Sequence, residues 1–157
     1  MGSHDDYGKA VLRAAAGAAF ADRGNPVEVN YGAGRPARID GAVGADIAVE
    51  IESRTSKQVR GAVLDLLFHR FDKKLLVLIP MYMSDCDVCA EQCRNALARF
   101  MNKDNFRVVV LTGSGTAPLL DNDTEIVRNA LHELGFNFAS RSGNARPAAA
   151  GLAAPQS

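Results

Sequence analysis

The chain has 157 residues, of which 47% are hydrophobic and 23% are charged. This length and composition predict one globular domain with a buried core, and no apolar run is long enough to cross a bilayer. The 18 basic residues equal the 18 acidic ones, so any binding of nucleic acid must depend on a local basic patch. Lys9, Arg13 and Asp22 interrupt the Ala-rich N-terminal stretch, which therefore does not resemble a signal peptide, and we expect a cytoplasmic protein.

The first predicted element is a helix over residues 5–22, which Gly24 ends. Its apolar side chains recur at helical spacing and form one inward stripe, made of Val11, Leu12, Ala15, Ala19 and Phe20. The pattern therefore indicates a helix that packs one face against the core and leaves the other face to solvent.

Three strand segments are predicted next, over residues 26–53. Successive strand residues point to opposite faces of a sheet, and the apolar residues here fall on odd-numbered positions, which predicts an antiparallel meander with one core face. The apolar set is Val27, Val29, Tyr31, Ala37, Ile39, Val43, Ile47, Val49 and Ile51. The even-numbered set is Glu28, Arg38, Asp40, Asp46, Glu50 and Glu52.

Asp40, Glu50 and Glu52 are the strongest candidates for function. A loop of odd length over residues 44–46 puts Asp40 across from Glu50, whereas a two-residue turn would put it on the opposite face. Cross-strand partners have Cβ atoms about 5 Å apart, and residues two apart on one strand are separated by roughly 7 Å. Such close carboxylates raise one another's pKa unless a cation separates them, and Mg²⁺ or Mn²⁺ suits oxygen ligands. The alternative is a solvated acidic sheet face without a metal.

A second amphipathic helix is predicted over residues 59–71, with Ser53 or Thr55 as its N-cap. Arg54, Lys57 and Arg60 recur every third residue, so they can share one side of its first turns beside the carboxylates. A basic patch there would suit a phosphodiester substrate. A solvated basic flank that balances the neighbouring acids is an equally common explanation.

The rest of the chain predicts a crossover of parallel strands. Residues 73–80 and 106–112 contain uninterrupted apolar runs, typical of strands covered on both faces, and a helix over residues 87–102 joins them. A last helix over residues 123–134 and an edge strand over residues 136–139 follow. The domain is therefore expected to span residues 5–140. Residues 141–157 are rich in Ala, Gly and Pro, and we expect them to be disordered.

The order of these elements around Asp40 and the Glu50-Ile51-Glu52 motif resembles the PD-(D/E)xK nuclease superfamily, the fold of many restriction endonucleases, over residues 5–112. In that family a helix precedes a three-stranded meander, which is followed by a helix and a further strand. An aspartate lies on the second strand and a (D/E)-x-K motif on the third. Asp40 matches the aspartate and Glu50 the first motif carboxylate, while Glu52 stands where lysine is usual. The Glu-x-Glu form is similar to a variant found among restriction enzymes.

This resemblance implies an α/β, restriction-endonuclease-like fold with a mixed central sheet flanked by helices. It also implies a metal-dependent DNA endonuclease. In such an enzyme Asp40 and Glu50 would bind Mg²⁺ or Mn²⁺, Glu52 would act as a further ligand or base, and Lys57 would assist. The residues expected to contact substrate phosphates are Arg38, Arg54 and Arg60. Cutting both strands of a duplex would call for a homodimer, and no membrane contact is expected.

The cysteines support a different hypothesis. Cys86 and Cys89 follow a predicted buried strand at the start of a helix, which is the placement of a thioredoxin-like redox pair. With Cys93 they could instead ligate zinc through three thiolates. Cys89 and Cys93 also belong to an apolar stripe, which favours a core role for both. The third hypothesis is a binding module that keeps the nuclease fold without its activity.

Two further features have structural explanations. The segment over residues 113–116 is Gly-rich and could cradle a phosphate, but it lacks the lysine of a nucleotide-binding loop, so an ordinary loop between a strand and a helix is expected. His69, near the end of the second helix, is expected to bind a backbone carbonyl and not to take part in catalysis.

Overall fold

The computed structural model describes residues 3–54, 56–113, 115 and 118–138. It contains four helices and seven strands within this part of the chain. The helices are α1 (Ser3–Ala16), α2 (Ser56–Phe68), α3 (Cys86–Ala98) and α4 (Asp121–Glu133). The strands are β1 (Phe20–Ala21), β2 (Glu28–Val29), β3 (Ala37–Arg38), β4 (Gly41–Val43), β5 (Ile47–Glu52), β6 (Lys73–Leu78) and β7 (Phe106–Val110). The tail predicted to be disordered, residues 141–157, lies outside the described residues.

Five strands form one mixed sheet in the order β1-β4-β5-β6-β7. β1, β4 and β5 pair antiparallel, whereas β5, β6 and β7 pair parallel. The predicted α/β class, with a mixed sheet flanked by helices, is confirmed. The two apolar runs form the parallel strands β6 and β7, with α3 between them, as predicted.

The predicted meander is wrong in two respects, because its first strand does not join the main sheet and its second strand is broken at residues 39 and 40 into β3 and β4. β2 and β3 pair with each other as a separate two-stranded ribbon. The edge of the main sheet is taken instead by β1, a segment that had been predicted to be helical. α1 ends at Ala16, Gly17 adopts a φ of 60°, and Phe20 then pairs with Val43. A positive φ at a glycine is a common way for a helix to end.

Both faces of the sheet are covered by helices. One core cluster joins α1 and α4 to the odd-numbered side chains of β5, and the other joins α2 and α3 to its even-numbered side chains. Ala48 is fully buried and Glu50 is only 6% exposed. The prediction of a single core face is therefore wrong for β5, because α2 covers the face that carries the acids.

Gly41 illustrates how closely β1 approaches β4. A Cβ at Gly41 would lie 2.3 Å from the Phe20 ring, whereas a Cβ at Gly61, on the exposed side of α2, would meet nothing within 4 Å. We expect Gly41→Ala to lower the free energy of unfolding by about 1–3 kcal/mol through overpacking. Gly61→Ala should raise it by about 0.5–1 kcal/mol, because alanine favours a helix interior. Urea denaturation of both variants measures the two effects, and a shift of the same sign in both would contradict the packing explanation.

The ends of two elements differ from the prediction. Ser53 does not cap α2, because its Oγ is buried without a hydrogen-bond partner among the described residues, and Thr55 lies outside them. Residues 136–138 are not a strand, and residue 139 is outside the described part. Phe136 packs edge to face on Phe138, with ring centroids 4.6 Å apart, beside the α1 and α4 core. No helix in the described part of the chain is long and apolar enough to span a membrane.

Candidate functional site

The hairpin of β4 and β5 brings Asp40 and Glu50 together. Its register pairs Gly41 with Val49 and Val43 with Ile47, so the connecting loop is residues 44–46. The predicted three-residue loop is therefore confirmed, and Gly44 takes a φ of 63° within it. Continuing this register by one residue sets Asp40 opposite Glu50 across the two chain segments, as the alternation of side chains had predicted.

The two carboxyl groups are joined by hydrogen bonds. Asp40 Oδ2 accepts a hydrogen bond of 2.7 Å from the backbone N–H of Ile51. The Glu50 carboxyl is hydrogen-bonded to the Asp40 carboxyl and also accepts from the Asp40 backbone N–H. Burial raises the pKa of Glu50 to about 11, and the hydrogen bond and negative charge of Asp40 add to the effect. Glu50 is therefore protonated at neutral pH and donates a hydrogen bond to the Asp40 carboxylate. The shared proton lies between the two carboxyl groups, at the position that a bound cation would occupy.

Asp65 and Tyr31 belong to the same cluster, although the sequence analysis did not identify either as functional. The Tyr31 hydroxyl donates a 2.5 Å hydrogen bond to Asp65 Oδ1, and the Tyr31 ring stacks on Phe68 at 4.5 Å. The negative charge of Asp65 also raises the pKa of Glu50. Burial first, and then Asp65 and Glu50, raise the pKa of Tyr31. The missed signal was an acidic residue three positions after Ala62, on the inward stripe of α2.

Glu52 makes its contacts outside this cluster. Its Oε2 accepts hydrogen bonds from the backbone N–H groups of Ser53, at 3.1 Å, and Arg54, at 2.9 Å. The same oxygen forms an ion pair with Arg54 Nε at 3.3 Å. Glu52 is not among the groups that shift the pKa of Glu50. The structure therefore brings Asp40 and Glu50 into contact, while Glu52 is bound to the turn that follows its own strand.

The predicted basic residues are exposed and lie on two different elements. Lys57 and Arg60 lie on the first turns of α2, and Arg54 immediately precedes the helix. No cation is among the causes that shift the pKa of Glu50. Arg38 lies on β3, where it pairs in register with Glu28 of β2. Arg54 therefore contacts Glu52 at the end of β5, Lys57 and Arg60 follow on α2, and Arg38 is on the separate ribbon.

The carboxyls of Asp40 and Glu50 provide some, but not all, of the ligands that a hard divalent cation needs. Among the described residues, no set of three or more His, Cys, Asp and Glu side chains is arranged to hold a metal ion. The adjacent Asp40 and Glu50 carboxyls nevertheless offer oxygen ligands, and Mg²⁺ is commonly bound by one or two carboxylates together with water and substrate phosphates. A cation between them would have to displace the proton that they now share, so the two carboxyls supply only part of a ligand set for Mg²⁺ or Mn²⁺.

The cysteines are part of the core, as predicted for Cys89 and Cys93. Cys86, Cys89 and Cys93 are all free thiols, and all three are buried on the side of α3 that faces the sheet. Burial raises the pKa of Cys86 to about 11 and that of Cys93 to about 12. These thiols are therefore protonated at neutral pH, whereas a redox-active cysteine needs a lowered pKa.

The loop after β7 is held by Asp123. Asp123 is fully buried and accepts hydrogen bonds from Tyr7 Oη, Thr112 Oγ1 and the backbone N–H groups of Thr112 and Gly113, at 2.5–2.9 Å. Burial opposes its ionisation, but these hydrogen bonds hold its pKa below the ordinary value. Gly113 and Gly115, the described residues of this segment, lie between β7 and α4, and residues 114 and 116 lie outside the described part.

His69 has the structural role that was expected. Its Nε2 lies 2.7 Å from the carbonyl oxygen of Pro26, and its Nδ1 accepts from the backbone N–H of Phe71. Together with the contact of Arg70 Nη2 to Asn25 Oδ1 at 2.8 Å, this bond ties the ribbon to the end of α2. His69 is therefore a support for the fold and not a member of the acidic cluster.

Comparison with known proteins adds no assignment to these contacts. No protein-family model and no curated protein matches the chain. The interpretation of the site therefore depends on the chemistry of the Asp40 and Glu50 pair and on the elements that carry it.

Proposed function

We propose that the protein is a metal-dependent DNA endonuclease with a restriction-endonuclease-like fold. The observation that carries the proposal is the contact between the buried carboxyl of Glu50 on β5 and the half-buried carboxyl of Asp40, which immediately precedes β4 in a mixed sheet. The order of elements supports it: a first helix, an antiparallel hairpin that bears both acids, a second helix and then a parallel strand. Exposed cations at the start of α2 provide contacts for a phosphate group.

Asp40 and Glu50 are the residues that would hold Mg²⁺ or Mn²⁺. When bound, such an ion stabilises negative charge on the scissile phosphate and lowers the pKa of water. Glu50 must release its proton before it can act as a ligand, so ion binding and proton release are coupled. In the cleavage step, water attacks phosphorus, Glu52 accepts the proton of that water, and the bond from phosphorus to the leaving oxygen breaks. Solvent then protonates the leaving oxygen.

The ion pair of Glu52 with Arg54 gives Arg54 a second role. An incoming phosphate competes with Glu52 for the guanidinium, because arginine binds both groups through its N–H donors. Transfer of Arg54 to the substrate would release the carboxylate of Glu52 to act as a base. Lys57 and Arg60, which are exposed on the following turns, would contact the same strand. Arg38, on the ribbon, is a candidate contact to a more distant phosphate.

A duplex substrate implies a second copy of the chain. One domain presents one acidic site, so a cut in both strands calls for two sites related by a twofold axis. We therefore propose a homodimer as the form that cleaves duplex DNA.

The proposal is tested by incubating supercoiled plasmid with the protein in Mg²⁺, in Mn²⁺ and in EDTA. Nicked or linear plasmid is expected with either metal and none with EDTA. Glu50→Ala should lower the cleavage rate by about 100-fold or more, the scale of losing one group that stabilises charge in the transition state. Glu91→Ala is the matched control, because Glu91 is exposed on α3 and pairs with Arg94 on its own helix. Equal rates for Glu50→Ala and wild type would refute the assignment.

An inactive binding module is the second candidate. The observation that favours it is the engagement of Glu52 by Arg54, which leaves two carboxyls and no third acid in metal-binding geometry within the described residues. This candidate predicts that plasmid is bound but remains uncut in every metal. A thiol-disulfide oxidoreductase has no comparable support, since Cys86 and Cys89 are buried in the core and burial raises the pKa of Cys86. Unchanged plasmid cutting by the double variant Cys86→Ser and Cys89→Ser would exclude those cysteines from the main activity.

A further inference from the structure

A hollow of about 290 Å³ opens beside the first turns of α3. Its walls include the side chains of Tyr82, Met83 and Val88, and polar groups are contributed by Asp85 and Gln92. Tyr82 is 55% exposed and Val88 is 49% exposed, so large apolar surfaces face solvent here. The volume lies just below the range of small-molecule pockets, about 300–1,000 Å³. The hollow therefore suits one flat group better than an extended ligand.

The hollow adjoins the proposed catalytic end of β5. The backbone N–H of Tyr82 donates to the carbonyl of Ser53 at 3.1 Å, and that of Ile79 donates to the carbonyl of Glu52 at 3.0 Å. The chain that leaves β6 thus runs directly beside the residues that follow Glu50. Paired extended segments lie about 5 Å apart, so the backbone of Tyr82 is one chain width from that of Ser53.

The residues that line this hollow are better suited to a nucleobase than to a phosphate group. Asp85 contributes a carboxylate, which repels an anion, and no lysine or arginine lines this hollow among the described residues. An exposed tyrosine ring is a surface on which an unpaired base can stack. Carboxylate and amide side chains such as those of Asp85 and Gln92 form hydrogen bonds with the edges of bases.

A second hollow adjoins the first and extends toward the guanidinium of Arg60. Cys89 and Gln92 line both hollows, and the second, of about 220 Å³ between α2 and α3, is also lined by Arg60. Arg60 is exposed on α2. A strand with one base beside Tyr82 could therefore direct a neighbouring phosphate toward Arg60, which gives the groove the alternating chemistry of a nucleic-acid strand.

We propose that the hollow at Tyr82 is a subsite for one unpaired nucleobase of the DNA strand whose backbone is cleaved beside Glu50. Tyr82 stacks on the base, and Asp85 and Gln92 contact its edge. The identity of the ligand as DNA rests on the proposed function, whereas the subsite itself is defined by the cavity and its position. The substrate would accordingly be single-stranded at this point, or distorted so that one base leaves its stack.

Fluorescence anisotropy with labelled oligonucleotides in EDTA tests the proposal without cleavage. The probes are a single strand of mixed sequence, the corresponding duplex, and an abasic strand of equal length and charge. We expect the single strand to bind roughly 5- to 100-fold more tightly than the abasic strand, the range for stacking of one base. Tyr82→Ala should remove this difference, and Tyr82→Phe, which keeps the ring, should retain it. Phe100→Ala is the matched control, because Phe100 is 73% exposed beyond the other end of α3.

Each outcome decides the proposal. Equal affinity for the single strand and the abasic strand, or no binding of any probe, would overturn it. A loss of affinity in Tyr82→Ala that is equal for both strands would also overturn it, because that variant would then act through folding or charge. If the base subsite fails while plasmid cleavage still depends on Glu50, the proposed function stands and only the subsite is wrong. If plasmid is not cut but Tyr82 still discriminates between the two strands, the catalytic assignment alone is wrong.

Discussion

Glu50→Gln is expected to stabilise the metal-free protein near neutral pH while it abolishes cleavage of DNA. The pKa of Glu50 is about 11 in the folded protein, against an ordinary value of 4.5. Because the folded pKa is raised, the contribution of this group to stability is complete below pH 4.5 and falls as the pH rises. At pH 7 the folded chain holds a proton that the unfolded chain has released, which costs about 3 kcal/mol.

Glutamine removes this penalty without changing the shape of the side chain. Its amide can donate to the Asp40 carboxyl as protonated Glu50 does, and it never needs to bind a proton. We expect a gain of about 1–3 kcal/mol at pH 7, which corresponds to a rise in Tm of roughly 3–10 °C for a domain of this size. Cleavage should fall to the level of Glu50→Ala, because an amide is a poor ligand for a hard cation compared with a carboxylate.

Thermal unfolding between pH 5 and 8 in EDTA measures the effect. The difference in Tm between Glu50→Gln and wild type should grow with pH and approach zero near pH 4.5, the ordinary pKa. Glu91→Gln serves as the control, since the Glu91 side chain is 65% exposed. Added Mn²⁺ should raise the Tm of wild type more at pH 8 than at pH 6, because binding displaces the proton. A Glu50→Gln variant that is less stable than wild type at pH 8 would contradict this explanation.

Asp123→Ala should cause the largest loss of stability of any single substitution considered for this fold. Asp123 is fully buried and joins α1, the loop after β7 and α4 through Tyr7, Thr112 and Gly113. Its removal leaves buried donors without acceptors, and hydrogen bonds to a charged group are worth about 1.5–3 kcal/mol each. We expect the free energy of unfolding to fall by about 3–5 kcal/mol, and Tm to fall by roughly 6–20 °C.

The pH dependence of stability distinguishes the loss of the Asp123 hydrogen bonds from the loss of side-chain volume alone. The pKa of Asp123 in the folded protein is below its ordinary value of 3.8, so its contribution is present above that pH and is lost as the pH falls further. The gap in stability between wild type and Asp123→Ala should therefore narrow at low pH. Asp121→Ala, in the same helical turn but exposed, is the matched control and should cost less than about 1 kcal/mol. Equal losses in the two variants would refute the network as the cause.

Much of the sheet could be predicted because its signals are local. The apolar runs of β6 and β7 are covered on both faces, so their burial is visible in the sequence itself. The register of β4 and β5 followed from alternation and from the length of one loop. The contact of Asp40 with Glu50 depends only on that register, which is why the sequence also identified it.

The errors arose where distant residues decide the structure. An Ala-rich segment favours a helix throughout, whereas α1 ends before Gly17 and the chain continues as β1, where Phe20 pairs with Val43 of a distant strand. Tyr31 and Asp65 are 34 residues apart in the sequence, so no local sequence pattern could predict the hydrogen bond between them. Glu52 can turn toward the acidic pair or toward the N–H groups of its own turn, and the alternation of a strand does not distinguish between these directions.

The ring of His69 has a consequence for how the protein responds to acid. Both of its nitrogens are committed, one to the carbonyl of Pro26 and one to the N–H of Phe71, so an added proton at Nδ1 would break the second contact. Burial lowers the pKa of His69 below 6.5, so the stability it provides is lost as the pH falls through that lowered value. Glu50 has the opposite dependence. The two groups therefore oppose each other as the pH falls below 6.5, because His69 then loses stability while Glu50 gains it, and a proton at Nδ1 would loosen the contact between the end of α2 and the segment that precedes β2.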